Sequence, residues 1–251
     1  MTWSLPRLGA LGSFGLLAVA CAALEFAVRG GLVSAFIVPA PSDVLAAVPG
    51  LVAQDGLGAA CVATFASTFA ATALAVLAGV PGGVFLATHR DYGRAYEAWL
   101  EGAFAAPIIL LYPMFLIFLG RGLVTVVAMG FVVAVIPVVL KTQEGVAGIP
   151  PVLRQVARSL QMTRSQSFWK VILPAAVPSI FVGVRLALIY AMINIVAVEF
   201  LVGIGGLGYL VSDLYDRYDI AAMYGAVAFV ILVSAVFFFI VERLERWLKP
   251  A

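Results

Sequence analysis

Gln155–Pro178 reads QVARSLQMTRSQSFWKVILPAAVP, a polar and basic stretch between two long apolar blocks. Of 251 residues, 64% are hydrophobic and 11% are charged, against about 25% charged in an ordinary soluble domain. That much apolar surface points to lipid as the solvent. A membrane chain keeps a basic segment in mid-sequence when something outside the bilayer must hold it. Pro150-Pro151 opens a helix, because a first-turn proline sacrifices no hydrogen bond. Val152, Leu153, Val156 and Leu160 fall on one face, and Arg154, Gln155, Arg158 and Ser159 on the other. The helix should stop near Gln161-Met162. Thr163 starts a second turn, with Gln166 at the capping-box spacing. Phe168 and Trp169 suit the membrane interface, and Pro174 and Pro178 should bend the chain into the next span. The expected product is two short amphipathic helices meeting at a corner over residues 150–170. A loop lying on lipid headgroups is the alternative that these residues leave open.

Working outward, the apolar runs divide into six spans near 9–28, 59–87, 100–119, 122–140, 176–203 and 221–241. Each reaches roughly the 20 residues needed to cross a bilayer, and the second and fifth are long enough to tilt or extend past the hydrocarbon. The runs are too long and too uniform for strands. The fold class is therefore an all-α polytopic bundle in one domain. Pro107, Pro113 and Pro137 threaten the third and fourth spans. On this layout eleven basic residues share one side: Arg7, Arg90, Arg94, Lys141, Arg154, Arg158, Arg164, Lys170, Arg243, Arg246 and Lys249. Arg29, Arg121 and Arg217 occupy the other. That imbalance puts both termini and the basic elbow in the cytoplasm.

Other features have plain readings. Ala18-Val19-Ala20-Cys21 faintly resembles a lipoprotein cleavage site, but a retained first helix is expected because five spans follow. Cys21 and Cys61 lie in apolar runs and read as small packing residues. Residues 36–48 suit a short interfacial helix, with Ser42-Asp43 as its cap. Gly203–Gly208 satisfies G-x-G-x-x-G, but it follows a membrane-length run and not a strand, so a turn is the better reading than a dinucleotide site. Gly79, Pro81 and Gly83 mark a close-packed part of the second span. A net charge of +2 gives no reason to invoke nucleic acid. No P-loop, metal-ligand spacing or nucleophile–base set occurs, so no cofactor is assigned to this chain. Asn194 and Glu199, in the fifth span, are the candidates for lining a pathway. Asp213, Asp216, Arg217 and Asp219 form an outward segment that could dock a partner.

The mid-chain segment resembles the cytoplasmic EAA loop of ABC-importer permeases, roughly E-A-A-x-x-x-G followed by I-x-L-P. Gln155-Val156-Ala157 stands at Glu-Ala-Ala, Gln161 at the glycine, and Val171-Ile172-Leu173-Pro174 at the distal part. Val38–Leu45, Pro107–Gly122, Val198–Leu201, Gly205–Leu210 and Val241–Arg246 resemble motifs of the nitrate/sulfonate/taurine branch, in the same order. The resemblance implies a type I importer in a bacterial inner membrane. Two permease copies, a homodimer being expected, would form the pathway. Two ATPase subunits holding ATP and magnesium would each seat one loop, and a periplasmic or lipid-anchored binding protein would deliver substrate. The ATPase-contacting role carries over to Gln155, Val156, Ala157, Arg158, Leu160, Gln161, Thr163 and Arg164. The missing acid and glycine alter charge and backbone freedom at the corner. The runner-up is a secondary transporter or channel without an ATPase. The branch handles nitrate, sulfonates, taurine, pyrimidines and riboflavin-like molecules, and the sequence does not choose among them.

Overall fold

The structure is a computed structural model. It describes the backbone of residues 6–248 and the side chains of 12, 15–89 and 91–245. Of the basic residues used for orientation, Lys249 lies outside the described residues, as do the side chains of Arg7, Arg90 and Arg246. The described chain is helical, with no strand. In order the helices are α1 (Pro6–Arg29), α2 (Pro41–Ala53), α3 (Leu57–Thr88) and α4 (Arg90–Ala105), then a 3₁₀ turn (Ile108–Leu111). Next come α5 (Tyr112–Leu119), α6 (Leu123–Ala147), α7 (Pro151–Ser159) and α8 (Arg164–Ser167). A π-helical turn (Phe168–Ile172) leads into α9 (Leu173–Val202), followed by α10 (Leu207–Asp216) and α11 (Ile220–Leu248).

Among the described residues four helical stretches are long and apolar enough to cross a membrane, and a fifth crossing results if one bent pair counts as a span. That pair is the third expected span, and here the expectation of one run over 100–119 fails. The chain bends by 85° between residues 91–105 and 108–119. Pro107 causes the break: it lacks the N–H that would continue the helix and forces Ala106 into an extended conformation (ψ 144°). Pro81, Pro137 and Pro178 behave differently and sit inside continuous helices. Lipid and neighbouring helices leave the backbone there no better alternative. At Pro174 and Pro178 the chain passes from α8 through the π turn into α9 without a loop.

The core is the contact of α3, α6 and α9. Each helix presents buried residues at a four-residue spacing: Ser67, Ala71, Ala75, Gly79 and Gly83 on α3; Gly130, Ala134, Val138 and Thr142 on α6; Gly183, Ala187, Ala191 and Ile195 on α9. In lipid, apolar surface gives helices no reason to associate, so close backbone approach must supply the attraction. The approach is tight. A Cβ on Gly79 would stand 2.8 Å from Val138, and one on Gly83 would stand 2.6 Å from the carbonyl of Val139. A second cluster, with Leu51, Leu57, Leu207, Leu210 and Leu214 at its centre, joins α2, α10 and α11 at the opposite end from α7.

A short helix is present where one was expected over residues 36–48, but it starts at Pro41, and its cap differs from expectation. Ala40 occupies the N-cap with no side-chain bond. Ser42 and Asp43 instead face α1: Arg29 donates to Asp43 at 2.6 Å and to Ser42 at 2.9 Å, while Glu25 accepts from Ser42. This network pins α1 to α2.

Candidate functional site

The basic elbow takes shape from its own sequence. Pro151 stands at the first turn of α7, and the helix ends where Gln161 adopts a left-handed conformation (φ 51°). This is the position at which the EAA pattern has glycine, and the backbone makes the turn without it. Thr163 then opens α8 with both capping-box bonds: its hydroxyl accepts from the Gln166 N–H at 3.3 Å, and its own N–H donates to Gln166 Oε1 at 3.0 Å.

The two sides of α7 differ sharply. Arg154 donates to the carbonyl of Val146 at 2.9 Å, which ties α7 to the end of α6. Ala157 is buried, and α7 rests on the π turn. Val152, Val156 and Leu160 lie 63%, 47% and 63% exposed. Gln155, Arg158, Gln161 and Arg164 are exposed as well, and Thr163 is also accessible. An apolar stripe of this kind, flanked by arginines, is costly to leave in water. Ala157 is thus placed apart from the other residues assigned to this surface, because it faces its own chain. No spacing signals this: alanine fits either face of an amphipathic helix, and only packing decides.

Asn194 and Glu199 occupy different environments. Asn194 is 9% exposed, and its Oδ1 has no hydrogen-bond partner among the described residues. It borders a cavity of about 320 Å³ lying where the Pro107 break meets α6 and α9. Phe104 and Tyr190 form one wall, edge to face with centroids 4.8 Å apart. Glu199 is fully buried away from this cavity. The Thr64 hydroxyl donates to it at 2.8 Å, and the Gly208 N–H donates at 3.1 Å. Thr64 in turn accepts from the Leu207 N–H at 2.8 Å. The carboxylate therefore sits over the N-terminus of α10, where orphan N–H groups and the helix dipole favour an anion. This explains the glycine run. Gly206 has φ 113° and would place a Cβ against the Glu199 carboxylate, while a Cβ on Gly208 would collide with the carbonyl of Val196. A pattern that mimics a dinucleotide motif here wraps an internal carboxylate.

The outward charged segment is largely engaged within the chain. Arg217 bridges Asp55 at 2.8 Å and Asp213 at 2.9 Å. The bond to Asp55 holds its guanidinium above the ordinary arginine pKa. Asp219 accepts from the Ala222 N–H at 3.1 Å and caps α11. Asp216 is exposed. Sequence reasoning missed Arg121, whose guanidinium donates to the carbonyls of Val202 at 2.6 Å and Gly203 at 3.2 Å, closing the end of α9. Arg185, within α9, likewise pairs with Glu245 at 2.5 Å. Both partners are far away in sequence, so spacing offered no signal.

Residues 79–251 match the family described as the binding-protein-dependent transport system inner membrane component. The osmoprotectant import permease protein OsmW of Salmonella typhimurium is 30% identical over 185 residues, which cover 72% of this chain and 86% of that protein. The nitrate import permease protein NrtB of Synechocystis is 27% identical over 198 residues, 79% of this chain and 72% of that protein. The bicarbonate transport system permease protein CmpB of Synechococcus elongatus is 28% identical over 176 residues; the match takes in 70% of this chain and only 63% of the relative. The fold resembles a subunit of the methionine ABC transporter MetNI in an inward-facing conformation, with TM-score 0.66 and 22% identity over 77% of this chain and 96% of that one. With well over half its length inside the family match, the chain belongs to the binding-protein-dependent transport system inner membrane components, as a permease subunit and not the ATPase.

Proposed function

We propose that this chain forms the substrate pathway of an ATP-driven, binding-protein-dependent importer, and that α7 with the α8 corner is the seat of a cytoplasmic ATPase. One observation carries the reading: α7 is fastened to the bundle through Arg154 and Ala157 while Val152, Val156 and Leu160 remain exposed. A helix held on one side and apolar on the other can pass a rigid-body push into α6 and α9. ATP and magnesium belong to the ATPase partner. In this reading α1 and the bent pair complete six spans in one transmembrane domain, both termini are cytoplasmic, and a second copy of the chain completes the pathway. A periplasmic or lipid-anchored binding protein meets the end that carries α2, α10 and exposed Asp216. The relatives named for nitrate, bicarbonate and osmoprotectant differ too much in cargo to choose a substrate.

The test is capture of the ATPase from the source membrane by tagged chain. Val156→Asp with Leu160→Asp should abolish capture and ATP-coupled uptake while the chain still inserts and melts as before. Undiminished capture by this double variant would overturn the assignment of the seat.

A further inference from the structure

We infer that the aromatic face of α4 is a docking surface for membrane lipid, and that α4 lies in the headgroup layer at the α7 end of the bundle. The inference goes beyond the pathway reading and does not depend on it. The side chains of α4 sort onto three faces. Gly93 and Phe104 meet the bundle: a Cβ on Gly93 would stand 2.6 Å from the Leu86 carbonyl, and the Phe104 ring packs on Tyr190. Tyr92, Tyr96 and Trp99 form a second stripe at the i, i+4, i+7 spacing and are 55%, 53% and 77% exposed. Asp91, Arg94 and Glu101 stand on the third side, exposed as well, and Arg94 borders one cavity with Arg154 of α7. The direction of α4 follows from its neighbours. The stretch 108–119 is tied to α9 at both ends, by Phe104 on Tyr190 before it and by Arg121 on the Val202 carbonyl after it. It therefore runs along α9, which belongs to a stretch long and apolar enough to cross a membrane. α4 turns from it by 85°, which lays α4 near the membrane plane. Two observations name lipid as the cover. Leu74, Leu77 and Phe85 are the exposed apolar side of the membrane-length α3, and Phe85 meets Tyr92 with ring centroids 6.0 Å apart, so the stripe continues that side without a break. Tyrosine and tryptophan also suit the boundary itself, with apolar rings and an O–H or N–H that headgroups can satisfy. The sequence of α4 carries two arginines against three acids, so burial of the rings holds it there, and attraction to anionic lipid does not.

The experiment attaches an NBD fluorophore to single cysteines of the full chain in phosphatidylcholine nanodiscs, with Cys21 and Cys61 changed to serine. Tyr96→Cys and Trp99→Cys report on the stripe, Glu101→Cys on the charged face, and Leu77→Cys on the apolar side of α3. All four positions are exposed, so the label displaces no buried side chain. Ala103→Cys, exposed on the same stripe, serves if either aromatic replacement unfolds the chain. The quencher is phosphatidylcholine spin-labelled either on the headgroup or deep in the acyl chain. Labels at 96 and 99 should be quenched about twofold or more strongly by the headgroup spin label than by the deep one, as for a helix seated about 5–10 Å into the interface. The label at 77 supplies the opposite order, that of a membrane-crossing helix. The label at 101 should be quenched by aqueous iodide, and by either lipid about twofold less than the label at 99. Adding phosphatidylglycerol should leave this pattern unchanged. Labels at 96 and 99 that neither lipid quenches would overturn the inference, because protein or water would then cover the stripe. Equal lipid quenching at 99 and 101 would overturn it, as would strongest quenching of 96 and 99 by the deep spin label. A pattern that arises only with phosphatidylglycerol would do the same, since charge and not the rings would then hold α4. ATPase capture through α7 is read separately, so failure here leaves the proposed function standing.

Discussion

At the scale of single residues, two positions show how local backbone and buried charge shape the chain. Gln161 holds φ 51° without being glycine, at a cost of about 1 kcal/mol. Gln161→Gly should raise the melting temperature of the purified chain or leave it unchanged. Gln161→Val, with a β-branched side chain in the left-handed region, should lower stability by about 1–2 kcal/mol. Glu199 accepts from a hydroxyl and a backbone N–H deep in the bundle. Glu199→Gln keeps an acceptor oxygen of the same shape and should be tolerated. Glu199→Leu strands the Gly208 N–H and should cost about 2–3 kcal/mol in thermal unfolding. Equal loss in both variants would mean that shape, and not the acceptor, matters there. The elbow's corner could be read from residues alone, since Thr163 and Gln166 sit at a spacing with one local solution. The partners of Glu199 could not: Thr64 lies 135 positions away, and no local spacing encodes such a pair.

At the scale of elements, most helices were legible because membrane-length apolar runs leave the backbone no other way to satisfy its hydrogen bonds. The third span was not. Proline gives the same sequence signal at Pro107, where the helix breaks, and at Pro137, where it continues, and only the surrounding packing separates the two. The four-residue stripes on α3, α6 and α9 were visible in the sequence in part, through Gly79 and Gly83. The matching rows on α6 and α9 gain meaning only when they meet. Gly83→Leu should therefore separate α3 from α6 and cost more than about 3 kcal/mol, read as loss of the folded fraction in detergent. Gly58→Leu, at a glycine of α3 with open space around it, should be close to neutral. The elbow carries a similar contrast. Ala157→Asp buries a charge against the chain's own bundle and should lower the melting temperature, whereas Val156→Asp should not. A substitution at Ala157 thus reports on folding before it reports on the ATPase.

For the whole molecule, the charges sort to two ends. Arg94, Arg154 and Gln143 border one small cavity at the junction of α3, α4, α6 and α7. Arg29 joins α1 to α2, and Arg217 reaches Asp55 just before α3, at the opposite end. Basic residues favour the cytoplasmic side, so the α7 end should face the cytoplasm. Arg158→Cys should react with a membrane-impermeant maleimide only in inverted vesicles, and Asp216→Cys only in intact spheroplasts. The order of spans and their charge bias separate the two ends in the sequence already, and the labelling decides which of them is cytoplasmic. The identity of the surface that meets each partner was less legible, because Arg217 is engaged by Asp55, 162 positions away, a contact that no spacing could reveal. Exposed Val152, Val156 and Leu160 remain as the surface most in need of cover.

The most direct test of the central claim is site-specific cross-linking from α7. A photoreactive maleimide attached at Val156→Cys, in inverted vesicles from the source cell, should link the chain to an ATP-binding subunit. The yield should change when a non-hydrolysable ATP analogue is added. Labelling of Val156→Cys from the outside, or an adduct that contains only lipid or the chain itself, would contradict the account.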